Sequence, residues 1–226
     1  MRQFPIPSPP LRAVVFDMDG LMFNTEGLYE QVDREILARR GKDFPDALCN
    51  AMMGRKSSAA LQVMIDWHDL EDSPEKLTGE IAELFEHLLP SNVAPMQGLM
   101  PLLEALENTN IPKAIATSSG RIFTEKVLSF FSLEPRFEFV LTGDDIQHGK
   151  PAPDVYRLAA KRLQVDPEEM MVLEDSQIGC QAAMAANAYV VAIPHGRSTN
   201  HQFSGVQFEA KSLADRRIHD ALRLSI

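Results

Sequence analysis

The segment Val14-Val15-Phe16-Asp17-Met18-Asp19-Gly20 places two aspartates one residue apart, directly behind a short apolar run. Side chains at i and i+2 of an extended segment project to the same side, so both carboxylates reach one bound group. Two carboxylates in different surroundings can divide the work of phosphoryl transfer, one attacking phosphorus and the other handling protons. Asp17, at the rigid end of the run, is the expected nucleophile. Asp19, one step into the turn, is the expected acid for the leaving oxygen and then the base for the water that follows. Gly20 lets the chain bend sharply away.

Three further polar groups follow later apolar runs: Thr117-Ser118-Ser119-Gly120, Gly149-Lys150-Pro151 and Glu174-Asp175-Ser176. Taken singly, each has a plainer reading as a turn, a helix cap or a solvated loop lysine. Their joint placement at successive strand ends is what suggests a site. A phosphate monoester carries nearly two negative charges and is repelled by this many carboxylates, so a hard divalent cation is required. Mg2+ prefers oxygen ligands, and Asp17 and Asp175 can supply them. Lys150 can balance the remaining negative charge. The Thr117 hydroxyl and the amides of Ser118 and Ser119, opening a helix, suit a phosphate oxygen.

Positioning such groups calls for strands. Residues 11–16 read as a strand buried on both faces, and similar runs stand at 113–116, 137–141, 170–173 and 189–193. Helical stretches at 100–107, 122–131, 155–163 and 178–186 alternate with them, and 213–224 reads as a closing helix. This alternation predicts an α/β fold with a doubly wound parallel sheet of five strands. Residues 27–89 interrupt it with helix after helix, at i, i+3, i+4 spacing in Tyr29-Val32-Ile36-Leu37 and Leu61-Met64-Ile65. The expected organisation is a Pro-rich arm at 1–10, an α/β core formed by 11–25 and 96–226, and an all-helical domain inserted at 26–95.

The 226 residues, 45% hydrophobic and 24% charged, suffice for one good core plus a smaller unit. A net charge of -10, from 22 basic and 32 acidic residues, argues against a nucleic-acid polymer and leaves a small phosphorylated metabolite as the expected partner. No apolar run approaches the roughly 18 residues of a membrane span, and no secretory block opens the chain, so a cytoplasmic protein without membrane contact is expected, a monomer by default. Cys49 and Cys180 stand far apart and read as inert thiols. His148, His195 and His201 read as surface residues, the first two able to border the site. Met52, Met53, Met64 and Trp67 read as packing within the insert. Arg55 and Lys56 either start a helix or reach the substrate.

In their order along the chain, the four polar groups resemble the motifs of the haloacid dehalogenase superfamily. The matching segments are Asp17-Met18-Asp19-Gly20-Leu21, Ala116-Thr117-Ser118-Ser119, Gly149-Lys150-Pro151-Ala152-Pro153-Asp154 and Leu173-Glu174-Asp175-Ser176. The resemblance implies catalytic roles for Asp17, Asp19, Thr117 and Lys150. It implies Mg2+ held by Asp17, the backbone carbonyl of Asp19 and Asp175, with Glu174 acting through a water. Gly20, Ser118, Ser119, Arg55 and Lys56 are the expected substrate contacts. The insert resembles the family's four-helix cap, which opens for exchange and closes over the reaction. Stretches such as Met53-Gly54-Arg55-Lys56 and Gly143-Asp144-Asp145-Ile146-Gln147-His148 are similar to pseudouridine-5'-phosphatases and glycerol-3-phosphatases. The chain is also similar to β-phosphoglucomutase, although Tyr29 stands where that mutase has a cap histidine, and Asn24 where relatives generally have aspartate. The implied function is hydrolysis of a small phosphate monoester, such as a sugar, polyol or nucleotide-like phosphate, through phospho-Asp17. A phosphomutase of the β-phosphoglucomutase type is the alternative, and a non-catalytic binding protein on the same fold a remote one.

Overall fold

The computed structural model describes residues 7–53 and 55–224, so most of the expected arm at 1–10 lies outside the described residues. From β1 (Ala13–Phe16) the chain enters four successive helices, α1 (Glu26–Ala38), α2 (Asp46–Met52), α3 (Ser57–His68) and α4 (Pro74–Asn92). Strands and helices then alternate: α5 (Leu99–Asn108), β2 (Lys113–Ala116), α6 (Arg121–Phe130), β3 (Val140–Leu141), α7 (Asp154–Leu163) and β4 (Met170–Glu174). The chain finishes with α8 (Gln177–Ala185), β5 (Tyr189–Ala192), β6 (Phe208–Glu209) and α9 (Arg216–Ala221).

All strand pairs are parallel, in the order β3-β2-β1-β4-β5-β6. Successive strand residues feed two different cores. Val14, Phe16, Ile115, Met171 and Leu173 join a cluster with α5, α6 and α9, while Ala13, Val15, Ala114, Ala116 and Val172 join one with α7 and α8. A strand covered on both faces has no solvent side to make polar, which is why these segments read as unbroken apolar runs. The sheet extends from β1 to β2 and β3 on one side and to β4, β5 and β6 on the other. The winding therefore reverses between β1 and β4, and a crevice opens at their carboxyl ends.

In the insert, Leu77, Ile81, Phe85 and Leu89 of α4 recur every fourth residue and are buried, giving one apolar stripe against α1. The Ser73 side chain caps α4, and Pro74 takes its first position, where a missing N–H costs nothing. The two linkers to the core meet each other. Phe23 bridges Pro95, the Asn24 N–H donates to the Ala94 carbonyl, and the Ala94 N–H donates to the Asn24 side-chain carbonyl.

Several elements depart from the sequence expectation. The sheet has a sixth strand, Phe208–Glu209, too short to leave an apolar run. The run at 137–141 is strand only over Val140–Leu141. The tail is helical only over Arg216–Ala221, because the Asp215 side chain caps its start and Arg223 turns to a φ of 55° just beyond its end. Trp67 is 48% exposed rather than packed, since the buried stripe of α3 is Leu61, Met64 and Ile65 and Trp67 lies off it. Among the described residues, no helix is long and apolar enough to cross a membrane.

Candidate active site

The crevice between β1 and β4 gathers the charged residues. The Asp17 N–H extends the strand pairing by donating to the Leu173 carbonyl at 3.0 Å, which fixes the backbone of the first acid. The buried Lys150 ammonium donates to Asp17 Oδ1 at 2.6 Å, to Glu174 Oε1 at 2.7 Å and to the Ala116 carbonyl at 3.1 Å. Glu174 is fully buried and has both oxygens engaged. Oε1 also accepts from the Tyr156 hydroxyl, and Oε2 accepts from the Ser176 N–H and hydroxyl. Glu174 thus sits under Lys150 and steadies it. Helix α8 passes so close that a Cβ at Gly179 would lie 1.7 Å from Glu174 Oε1.

Asp175 lies close to Asp17. One carboxylate oxygen from each of Asp17, Glu174 and Asp175 falls within 4.8 Å of the others, a spacing that fits a hard cation. Gly20 does not line the cavity as a substrate contact. It has φ of 78°, and a Cβ there would lie 2.6 Å from an Asp175 oxygen, so it admits that carboxylate to the site.

Asp19 is oriented by hydroxyls. Its Oδ1 accepts from Thr25 at 2.7 Å, and its Oδ2 accepts from Thr117 at 3.1 Å and Ser119 at 2.6 Å. Ser119 in turn meets the Tyr29 hydroxyl of α1 at 3.1 Å, linking insert to core. Thr117 Oγ1 accepts from the Ser119 N–H, and the buried Ser118 hydroxyl has no partner among the described residues.

Charge in this crevice is not balanced. Burial pushes the Asp17 carboxyl up to about 8, and Glu174 and Asp19 add to the rise while Lys150 opposes it. Burial works against the Lys150 ammonium, but Asp17 and Glu174 outweigh it and hold the group well above its usual value, so it stays charged. An attacking carboxylate must be ionised, and the site calls for more positive charge than Lys150 provides.

A cavity of about 210 Å3 lies over these groups, lined by Asp17, Asp19, Thr117, Ser118, Ser119, Lys150 and Asp175 from the core. The insert supplies an apolar roof, including Phe44, Met52, Leu61 and Ile81, with Tyr29, Glu30, Asp33 and Arg55 set into it. Arg55 reaches the cavity with its Nε bound to the Ala51 carbonyl. Lys56, expected to contact substrate, instead donates to the Ile146 carbonyl and ties the insert to the core. His148 pairs with Asp154, His195 caps the turn at Gly196–Asn200, and neither lines the cavity. Thr25, Asp33, Tyr156, Gly179 and Arg197 escape the sequence reading. Only Thr25 carries a local signal, a hydroxyl residue just ahead of a helix.

A parallel α/β core with acids at its switch point and a helical roof defines a hydrolase class, and the comparisons with known proteins agree. A family profile described as haloacid dehalogenase-like hydrolase matches residues 14–193, and the chain belongs to that family. It is 37% identical over 192 residues to (DL)-glycerol-3-phosphatase 1, mitochondrial, of Arabidopsis thaliana, covering 81% of this chain and 64% of that one. It is 33% identical to a phosphorylated carbohydrates phosphatase of Thermotoga maritima, covering 78% and 82% respectively. The crystal structure of CbbY from Rhodobacter sphaeroides in complex with phosphate superposes with a TM-score of 0.82 at 25% identity, covering 91% of this chain and 96% of that one. Within the family the chain is a phosphatase, a phosphoric monoester hydrolase.

Proposed function

We propose that the chain hydrolyses a small sugar or polyol phosphate in a Mg2+-dependent reaction through phospho-Asp17. The observation that carries this reading is the pairing, in one cavity, of a buried Asp17 held by Lys150 with an Asp19 anchored by three hydroxyls. The Asp17 oxygen not held by Lys150 attacks phosphorus, and the bond from phosphorus to the leaving oxygen breaks as Asp19 gives that oxygen a proton. Asp19 then takes a proton from water, whose oxygen attacks the same phosphorus. The bond from phosphorus to Asp17 breaks and inorganic phosphate departs.

Thr117 and Ser119 keep Asp19 aimed, while the charge of Lys150, acting at short range, and the Ser118 amide offset charge on the phosphoryl oxygens. Asp17, Asp175 and the Asp19 backbone carbonyl fit the needs of Mg2+, which when bound supplies the positive charge that keeps Asp17 ionised. The insert serves as a cap whose apolar roof excludes water. The substrates printed in the relatives' names, glycerol 3-phosphate and phosphorylated carbohydrates, support the class of leaving group.

The test measures free phosphate released from a panel of monoesters. Asp17→Asn lowers turnover at least about 1,000-fold with an unchanged circular dichroism spectrum. Excess chelator stops the wild type, Mg2+ restores it, and beryllium fluoride inhibits it. Full activity in the variant or in chelator refutes the mechanism.

A further inference from the structure

The floor of the cavity is used by the chemistry above; the charged groups of its roof are not, and one of them stands without a partner among the described residues. Helix α1 sets Tyr29, Glu30 and Asp33 into the cavity wall, with Tyr29 and Asp33 one turn apart on the same stripe. Tyr29 is bonded to Ser119, and Glu30 is paired with Arg34 at 2.6 Å and Arg197 at 3.1 Å. Asp33 has no cation and no hydrogen-bond donor among the described residues. It shares the wall with Phe44, Leu61 and Ile81, and burial together with Glu30 pushes its carboxyl up to about 7. Its oxygens are not sealed in the core but open on the cavity, where a bound molecule can reach them.

We infer that Asp33 reads the leaving group, accepting hydrogen bonds from the hydroxyls of a neutral polyol or sugar and repelling leaving groups that carry a carboxylate. The inference rests on the phosphatase reading and goes further by naming the side chain and the chemistry it selects. Two oxygens on one carboxyl match two neighbouring hydroxyls. Glu30 adds negative potential on the same helix. Of the cations nearby, Arg197 is bonded to both Glu30 and Asp46, and Arg55 keeps its charge but is exposed, where solvent screens it. A site built around an acceptor discriminates strongly, because a leaving group without donors leaves that acceptor unpaired.

The experiment measures kcat/KM with Mg2+ for a panel of polyol and sugar phosphates including glycerol 3-phosphate, for 2-phosphoglycolate, and for p-nitrophenyl phosphate, which has no hydroxyl donors. Wild type, Asp33→Leu and the isosteric Asp33→Asn are compared. The wild type is expected to favour its best polyol or sugar phosphate over 2-phosphoglycolate at least tenfold. Asp33→Leu is expected to lower that best substrate at least tenfold further than it lowers p-nitrophenyl phosphate, the size of one charge-assisted hydrogen bond. Asp33→Asn, without the charge, narrows the gap to 2-phosphoglycolate. Parallel changes on every substrate, or a wild type that takes 2-phosphoglycolate equally well, overturn the inference and leave the phosphatase reading standing. No phosphate release from any substrate by the wild type overturns that reading, and this inference with it.

Discussion

The strand ends and the helical roof face each other across one cavity, yet their charged groups are held very differently. At the strand ends Lys150 makes three hydrogen bonds and Glu174 makes four, all inside the protein. In the roof, Asp33 makes none among the described residues, and Glu30 leans on the partly exposed Arg34 and Arg197. Bond-saturated groups cannot shift without leaving a buried charge alone, which suits a reacting centre. Loosely held ones can be replaced at little cost to the fold, which suits a surface that chooses among leaving groups.

The sharpest way to break this contrast is Lys150→Met. Buried Asp17 and Glu174 then lose their common cation, and unfolding free energy should fall by about 3–5 kcal/mol in urea titrations at pH 8. A variant as stable as wild type would show that the strand ends are not saturated in the sense argued. A middle-sized effect is expected inside the insert. Asp72 is held well below the ordinary carboxylate range by hydrogen bonds from Arg40 and Lys76. Such a group adds stability above the unfolded carboxyl's value, about 4, and loses it as pH falls through the depressed one. Asp72→Asn should therefore cost about 1 kcal/mol at pH 7, with the gap closing below about pH 4 in the same titrations. The smallest effect belongs to Arg197→Gln, which removes partly exposed pairs with Glu30 and Asp46 on the insert. It should change kcat/KM by about two- to threefold at low salt and by less in 0.5 M salt, where screening has already weakened the pairs.

The same contrast governs what the sequence reveals. Strands covered on both faces write themselves as apolar runs, so the parallel core and the polar groups behind Phe16, Ala116 and Leu173 are legible, and the structure brings Asp17, Asp19, Thr117, Lys150 and Asp175 to one cavity. Where an element is two residues long, as in β6, no run exists to see. Trp67 misleads because size suggests burial, whereas position relative to Leu61, Met64 and Ile65 decides it. The two neighbours Arg55 and Lys56 look equivalent in sequence and separate only in space, one lining the cavity and the other capping the Ile146 carbonyl. Asp33 is invisible for a related reason. An acid on a helix is ordinarily solvated, and only the fold shows that it has been turned toward the cavity.

The clasp between the linkers has a mechanical consequence. Because Asn24 is bonded to Ala94 through backbone and side chain alike, and Phe23 bridges Pro95, the outgoing and returning strands of the insert form one short ribbon. A ribbon twists or bends about a single axis, whereas two independent tethers would let the insert slide and rock. A swing about that axis would carry the Tyr29, Glu30 and Asp33 face along a fixed arc over Asp19 and return the same roof to the same floor.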